Sequence, residues 1–368
     1  MLRKIRKSKT IFRIVLVLLA IAMVTIFYHM DNNYGIFSGV IKSNEAVILL
    51  KNQSNIILVW TEFFGLKGQQ LGYHPECDCF ITRDRSYLPN AKTVLFHWRD
   101  TRFHDLPVKY VGQKWVWMQM ESTSNTRRKF SLKKISRHFD CWATYRLDSD
   151  FPLLYGCFTD LLPRNFHPRR VLLKNRPKSV AWLVSNCHTP SKREEYVQLL
   201  SQHIPVDIYG KCGSNCDGKN VSCYKFLEAN YKFYLSFENS ICKDYLTEKI
   251  LNLLPLNIVP VVMGGADYRS LLPAYSHINV ADFQSPKFLA DYLHRLSEDE
   301  AEYNSYFQWK TNYTPSPCPN VWCQMCEKFR YGPEYRCKGE SNDLVRWWYE
   351  EASCTDYHGE PPVVRWPF

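Results

Sequence analysis

Past residue 20 the chain has no arginine- or lysine-rich stripe, which excludes the usual nucleic-acid-binding surface. The formal net charge is +11, yet Arg3, Lys4, Arg6, Lys7 and Lys9 supply five of those charges, so the remainder carries a modest +6. That residual excess suits a site that takes a phosphorylated ligand. Internal repeats and low-complexity tracts are also lacking, which sets aside repeat architectures. No charge interrupts Ile14 to Tyr28, and the run ends in "TIFYHMD" without the small residues that signal-peptide cleavage needs.

What is present describes a globular chain. Hydrophobic residues make up 45% and aromatics 15% of 368 residues, enough for about two domains. A basic tail, residues 1–10, precedes an apolar run over 11–30 long enough to cross a bilayer, with Arg13 snorkelling at its edge. The expectation is an uncleaved signal anchor, cytoplasmic tail and lumenal remainder, that is, a type II membrane protein. Residues 31–54 are polar and read as a stem. Fourteen cysteines agree with an oxidising lumen. Glycosylation sequons begin at Asn52, Asn220 and Asn312.

Apolar runs at 55–60, 92–98, 114–120 and 141–146 read as strands of a first domain over 55–172. The basic, Pro-containing "LKNRPK" (173–178) reads as a linker. Beyond it, runs at 179–184, 206–210, 232–239 and 257–264 alternate with helical patterns at 191–202 and 244–254. Ser191 and Glu194 stand at capping-box spacing. Strands that are apolar throughout, separated by helices, indicate a parallel sheet covered on both faces. The fold expected is α/β, with a second domain over 173–316 and a Cys-rich tail over 317–368. Ligands in such sheets bind beyond the carboxyl ends of the strands, which puts loops 185–193, 210–223 and 237–249 on one rim.

The third loop, "FENSICKDYLTEK", crowds polar groups where a strand meets a helix. On a helix opening at Asp244, Tyr245, Glu248 and Lys249 fall on one side, while Leu246, Ile250, Leu253 and Leu254 face the sheet. A helix start with a lysine beside it suits a diphosphate, and a glutamate there suits a sugar hydroxyl. Plain capping and solvation by Glu238, Asp244, Glu248 and Lys249 is the bland alternative. In the first loop Ser185 and Asn186 offer hydrogen bonds and Arg193 a planar fork for two phosphate oxygens, or simply an ion pair with Glu194 or Glu195.

The stretch "KFYLSFENSICKDYLTEKILNLLPLNIVPVVMGGADY" closely resembles the signature of the α1,3-fucosyltransferases. "TVLFHWRD", "QKWVWMQMES", "TYRLDSD", "VSN" with an arginine after it, "VDIYGKCG" and "YFQWK" follow in that family's order and spacing, from about residue 75 to 350. The resemblance implies two Rossmann-like domains facing a cleft, the GT-B arrangement. It implies transfer of L-fucose from GDP-fucose to GlcNAc of glycans with inversion, in the Golgi, with no required metal. It assigns Ser185, Asn186, Arg193, Tyr245, Glu248 and Lys249 to GDP-fucose and Glu121 to the base that takes the acceptor proton. Two segments depart from the pattern. "ESTSN" (121–125) stands where Glu-Ser-Pro is usual, and "DCWATYR" where Asn-Trp-Thr is usual. Both lie on the acceptor side, so the acceptor stays open among core GlcNAc, LacNAc, LacdiNAc, glycolipid and protein-linked fucose.

Three rival readings accompany this one. Asp148 and Asp150 in "DSD" invite a Mn²⁺ site of GT-A type, although here they sit inside the resembling motif, and Mn²⁺ stimulation stays open. A disulfide-braced lectin or inactive relative would use "WW" (347–348) and the tyrosines to stack on sugars. Cys323 and Cys326, with Cys318 and Cys337 near, suit zinc in a cytosol but disulfides in a lumen. Cys77 and Cys79 are the expected partners of Cys323 and Cys326. Cys242 is expected to pair with Cys212, Cys216 or Cys223.

Overall fold

The computed structural model describes residues 55–62, 71–126, 129–160, 170–216, 222–331 and 335–357. The expected anchor at 11–30, the stem, Asn52 and Asn220 lie outside them. Among the described residues no helix is long and apolar enough to cross a membrane.

The chain from Asn55 onward forms one compact unit built on two sheets. The first contains β1 (Asn55–Val59), β2 (Gly72–His74), β3 (Cys79–Thr82), β4 (Thr93–His97), β5 (Lys114–Gln119), β6 (Cys141–Thr144) and β7 (Phe151–Pro152), in the order β2-β3-β1-β4-β5-β6-β7. All its pairings are parallel except β2 with β3. Side chains alternate between two buried faces. Ile56, Leu58, Trp115 and Trp117 enter one core, while Ile57, Val59, Val116 and Met118 enter the other. This double burial explains why the strands read as unbroken apolar runs. Each fully buried large apolar side chain contributes about 1.5–3 kcal/mol.

The second sheet is wholly parallel. It contains β9 (Lys178–Leu183), β10 (Val206–Tyr209), β11 (Tyr231–Phe237), β12 (Val259–Met263) and β13 (Ile278–Asn279), in the order β10-β9-β11-β12-β13. Helix α2 (Arg193–Leu200) and helix α6 (Pro286–Glu298) cover one face with Val197, Leu200, Leu289 and Leu293. Helix α3 (Cys223–Asn230) covers the other through Leu227, against Tyr234 and Ala181. A small antiparallel pair, β8 (Cys157–Asp160) with β14 (Tyr313–Ser316), stands apart.

All 14 cysteines are paired. Cys77–Cys323 and Cys79–Cys326, the partners expected, fasten helix α8 (Val321–Tyr331) to the first sheet. Cys242 does not pair with the nearby cluster. It joins Cys354, while Cys212 takes Cys187 and Cys216 takes Cys223.

Two local expectations shift as well. No capping box forms between Ser191 and Glu194. Glu194 accepts from Thr189 N and Oγ1, both at 3.0 Å, and Ser191 Oγ donates to Glu238 O at 2.8 Å. The helix expected over 244–254 is only a turn, α4 (Glu248–Leu251), capped by Thr247. Asp244 has φ +61°, a left-handed conformation outside the α-helical region, so the helix does not run through it.

Candidate active site

The carboxyl ends of both sheets meet at a cavity of about 450 Å³ lined by Trp98, Arg99, Gln119, Glu121, Asn125, Thr126, Asn186 and Asn239. The first six leave the ends of β4 and β5; the last two leave β9 and β11. Glu121 follows β5 by two residues, so its placement is set by the strand and by two hydrogen bonds beside it. Tyr155 Oη donates to Met120 O at 2.8 Å, and Ser122 Oγ donates to Ser240 Oγ at 2.7 Å. At the end of β4 His97 Nδ1 meets Asp100 Oδ2 at 2.6 Å.

The cations expected from the two loops lie around the exit of β11. Arg193, 4% exposed, donates from Nη1 to Phe237 O at 2.5 Å and from Nη2 to Asn186 O at 3.1 Å. Its Nε and the Oδ1 of Asn239 are buried with no protein partner among the described residues, so both retain bonding capacity for something that enters. Burial pulls the guanidinium down, opposed by Glu238 and Glu194. Lys249 Nζ reaches Glu238 Oε2 at 3.0 Å and Glu248 Oε1 at 3.4 Å. Burial pushes the ammonium down, but the two carboxylates outweigh it and hold Lys249 above its ordinary value.

Glu238 is the residue whose role the sequence concealed. It is 1% exposed, and the "FEN" run offers no hint that its middle carboxylate points inward. Thr247 N and Oγ1 donate to its Oε1 at 2.9 and 2.8 Å, so it braces the residue that caps the short helix. It also anchors the lysine. Complete burial pushes its carboxyl up, only partly offset by Lys249 and Thr247. The other lining residues missed in the sequence, Trp98, Arg99, Gln119, Asn125, Thr126 and Asn239, carry one shared signal: each lies within a few residues of a predicted strand end.

Asn186 lines the cavity, and Ser185 beside it is exposed. Glu248 is exposed on α4, with its carboxylate near Lys249. Tyr245 precedes the helix and does not share a helical face with them. It is buried, ring edge against Tyr145 at 4.8 Å, in the core beneath the first sheet. Asn312 is exposed at the entry of β14. Asp148 is occupied by Arg146 at 2.9 and 2.7 Å and by Lys243 at 3.3 Å. Asp150 accepts from Trp142 N at 2.8 Å and Lys338 N at 2.9 Å. The "DSD" carboxylates are thus engaged in holding the fold.

With the geometry in place, comparison with known proteins is informative. Residues 173–347 match the family model described as glycosyltransferase family 10 (fucosyltransferase), C-terminal, and residues 52–156 match fucosyltransferase, N-terminal. A Bos taurus protein, 4-galactosyl-N-acetylglucosaminide 3-alpha-L-fucosyltransferase 9, is 34% identical over 92% of this chain and 97% of its own length. A second, the Bos taurus 3-galactosyl-N-acetylglucosaminide 4-alpha-L-fucosyltransferase FUT3, is 40% identical over 70% of this chain and 72% of its own. The Drosophila melanogaster alpha-(1,3)-fucosyltransferase C is 32% identical over 80% and 78%. A crystal structure of an alpha1,3-fucosyltransferase with GDP overlaps at TM-score 0.49 and 16% identity, covering 79% of this chain and 92% of that one. The chain belongs to glycosyltransferase family 10, the fucosyltransferases, and is an enzyme that transfers fucose.

Proposed function

We propose that the chain transfers L-fucose from GDP-β-L-fucose to O3 of GlcNAc in a glycan, with inversion, in a cleft of GT-B type between its two sheets. The observation that carries this reading is a single cavity in which Glu121 from the first sheet faces Asn186 and Asn239 from the second, with Arg193 and Lys249 anchored on the strand exit just behind. Two of the relatives are named for 3-linkage, which favours O3.

In a single displacement the acceptor oxygen attacks the anomeric carbon, its proton passes to the Glu121 carboxylate, and GDP departs on the opposite side. Arg193 and Lys249 offset the growing diphosphate charge. Ser185, Asn186, Tyr245 and Glu248 complete the donor-side set; Tyr245 contributes from beneath, through its packing on Tyr145. With two cations at hand the departing diphosphate needs no metal, and activity is expected to persist in chelator.

Glu121→Gln is the deciding variant. Transfer is expected to fall by roughly 10²–10⁴-fold, with GDP affinity unchanged. A loss of GDP binding instead would contradict the role. The Golgi location, the anchor over 11–30 and use of Asn52, Asn220 and Asn312 by glycans belong to the same proposal. Protease protection in sealed microsomes and a mobility shift after N-glycan removal test them. A chain fully digested from the outside would refute the topology.

A further inference from the structure

The turn after Glu121 is tied to the segment after Glu238 by a buried contact that the reaction itself does not use. Ser122 and Ser240 are both 0% exposed, and Ser122 Oγ donates to Ser240 Oγ at 2.7 Å. The bond is reinforced from both sides. Asn125 donates from N to Ser122 Oγ at 3.3 Å and from Nδ2 to Ser240 Oγ at 3.4 Å. Thr126 Oγ1 donates to Ser122 O at 2.9 Å, and Gln119 Nε2 to Thr126 Oγ1 at 3.0 Å. Neither serine lines the cavity, yet each is one residue from a group that does: Glu121 on one side, Asn239 on the other.

We infer that the Ser122–Ser240 hydrogen bond is a positioning pin that fixes the distance between the Glu121 carboxylate and the donor-holding segment 237–239. The inference rests on Glu121 being the base. Its physical basis is sensitivity to offset. A displacement of about 1 Å between reacting groups costs roughly 10²-fold in rate, and losing either hydroxyl leaves the other with only its longer Asn125 contact, at 3.3 or 3.4 Å. The second sheet's anion-holding contacts do not pass through this pin. Arg193 bonds Phe237 O, and Lys249 bonds Glu238. Donor binding therefore survives its loss. The two halves stay joined too, because Lys243–Asp148 at 3.3 Å, Asp244 Oδ2 accepting from Leu147 N at 3.2 Å, and Cys242–Cys354 remain.

The test is a cycle of Ser122→Ala, Ser240→Ala and the double variant in the full chain, with Glu121→Gln in parallel. Each measurement includes kcat for transfer at saturating substrates, Kd for GDP, slow hydrolysis of GDP-fucose, and Tm. Each single variant is expected to lower kcat about tenfold, and the double variant no further than either single. GDP affinity and hydrolysis are expected to stay at wild-type level, since water reaches the donor without the positioned base. A merely structural role would lower Tm, GDP affinity, hydrolysis and transfer together, and would overturn the pin. Unchanged kcat in both serine variants, with Glu121→Gln inactive, overturns the pin alone. Wild-type transfer by Glu121→Gln overturns the base assignment, and the pin with it.

Discussion

Glu238 brings a negative charge to within 3.0 Å of the lysine that should meet a diphosphate, an arrangement that demands a physical reason. A lone buried ammonium would lose its charge to desolvation. With Glu238 beside it, Lys249 stays charged, and Thr247 fixes the carboxylate with its N–H and with its one hydroxyl proton, which lies between both carboxylate oxygens. The consequence is a pH dependence with a definite sign. Burial raises the Glu238 carboxyl above the usual range, against the pull of Lys249 and Thr247. Glu248 and, farther round, Arg193, Tyr155, Tyr245 and Tyr268 complete its charged and titratable surroundings. Protonating Glu238 removes a negative charge from the site while Glu248 and the arriving diphosphate keep Lys249 charged, so GDP-fucose binds the protonated form more tightly. Affinity is expected to rise as pH falls toward that raised value, and Glu238→Gln should flatten the profile. Titration calorimetry with GDP-fucose across mildly acidic to mildly alkaline pH checks this; an unchanged slope in Glu238→Gln would refute it. The stability sign is the same. A raised carboxyl favours the folded form most below the ordinary carboxylate range, and the benefit fades as pH rises through that range to the folded value. Lys249→Ala should cost about 1.5–3 kcal/mol of donor affinity, the worth of a charged hydrogen bond.

At the scale of elements, the loop from β11 to β12 departs most from its sequence pattern. Periodicity at Leu246, Ile250, Leu253 and Leu254 suggests a longer helix, and three of these are indeed buried. Tertiary contacts cut it short. Asp244 turns left-handed to accept from Leu147 N, and Tyr245 inserts beside Tyr145. No local rule in the sequence announces a contact made 97 residues away. The strands were legible because they are buried on both faces, and loops 185–193 and 237–249 converge with Glu121 as their strand-end positions required. The Cys242 pairing was not legible, because spacing favoured the 212–223 cluster over a partner 112 residues distant. Close packing of this loop also yields a prediction. A Cβ on Gly265 would sit 2.4 Å from Cys242 O and 2.6 Å from its carbonyl carbon, against backbone that has nowhere to go. Gly265→Ala is expected to cost about 1–3 kcal/mol and to weaken GDP-fucose binding by shifting the 238–247 segment. Denaturant midpoint and Kd measured together check it; wild-type values in both would show that the loop yields freely.

For the whole molecule, the C-terminal stretch joins the two sheets in series. Helix α9 (Leu344–Tyr349) is part of the first sheet's core. Trp348 stands edge-on to Trp117 at 4.9 Å, Trp347 lies 4.4 Å from Trp142, and Arg146 Nη1 donates to Trp347 O. A few residues later the chain is bound to the second half. Lys243 N donates to Ala352 O at 2.9 Å, Thr355 N to Ile241 O at 2.8 Å, Cys354 is bonded to Cys242, and Tyr357 packs on Tyr196 at 5.2 Å. The two anchors act on different quantities. Trp347→Ala opens a cavity against Trp142 and Arg146, neither of which belongs to the proposed site, so it should lower global stability by about 3–5 kcal/mol while the folded fraction keeps its donor Kd. Replacing Cys242 and Cys354 by serine together leaves both tryptophans in place but frees the segment that carries Ser240 and Tyr245. Stability should fall by about 2–4 kcal/mol, and GDP-fucose affinity should fall with it. Thermal unfolding paired with donor binding separates the two. If the serine pair loses stability yet binds donor normally, the disulfide only closes the chain and does not hold the site.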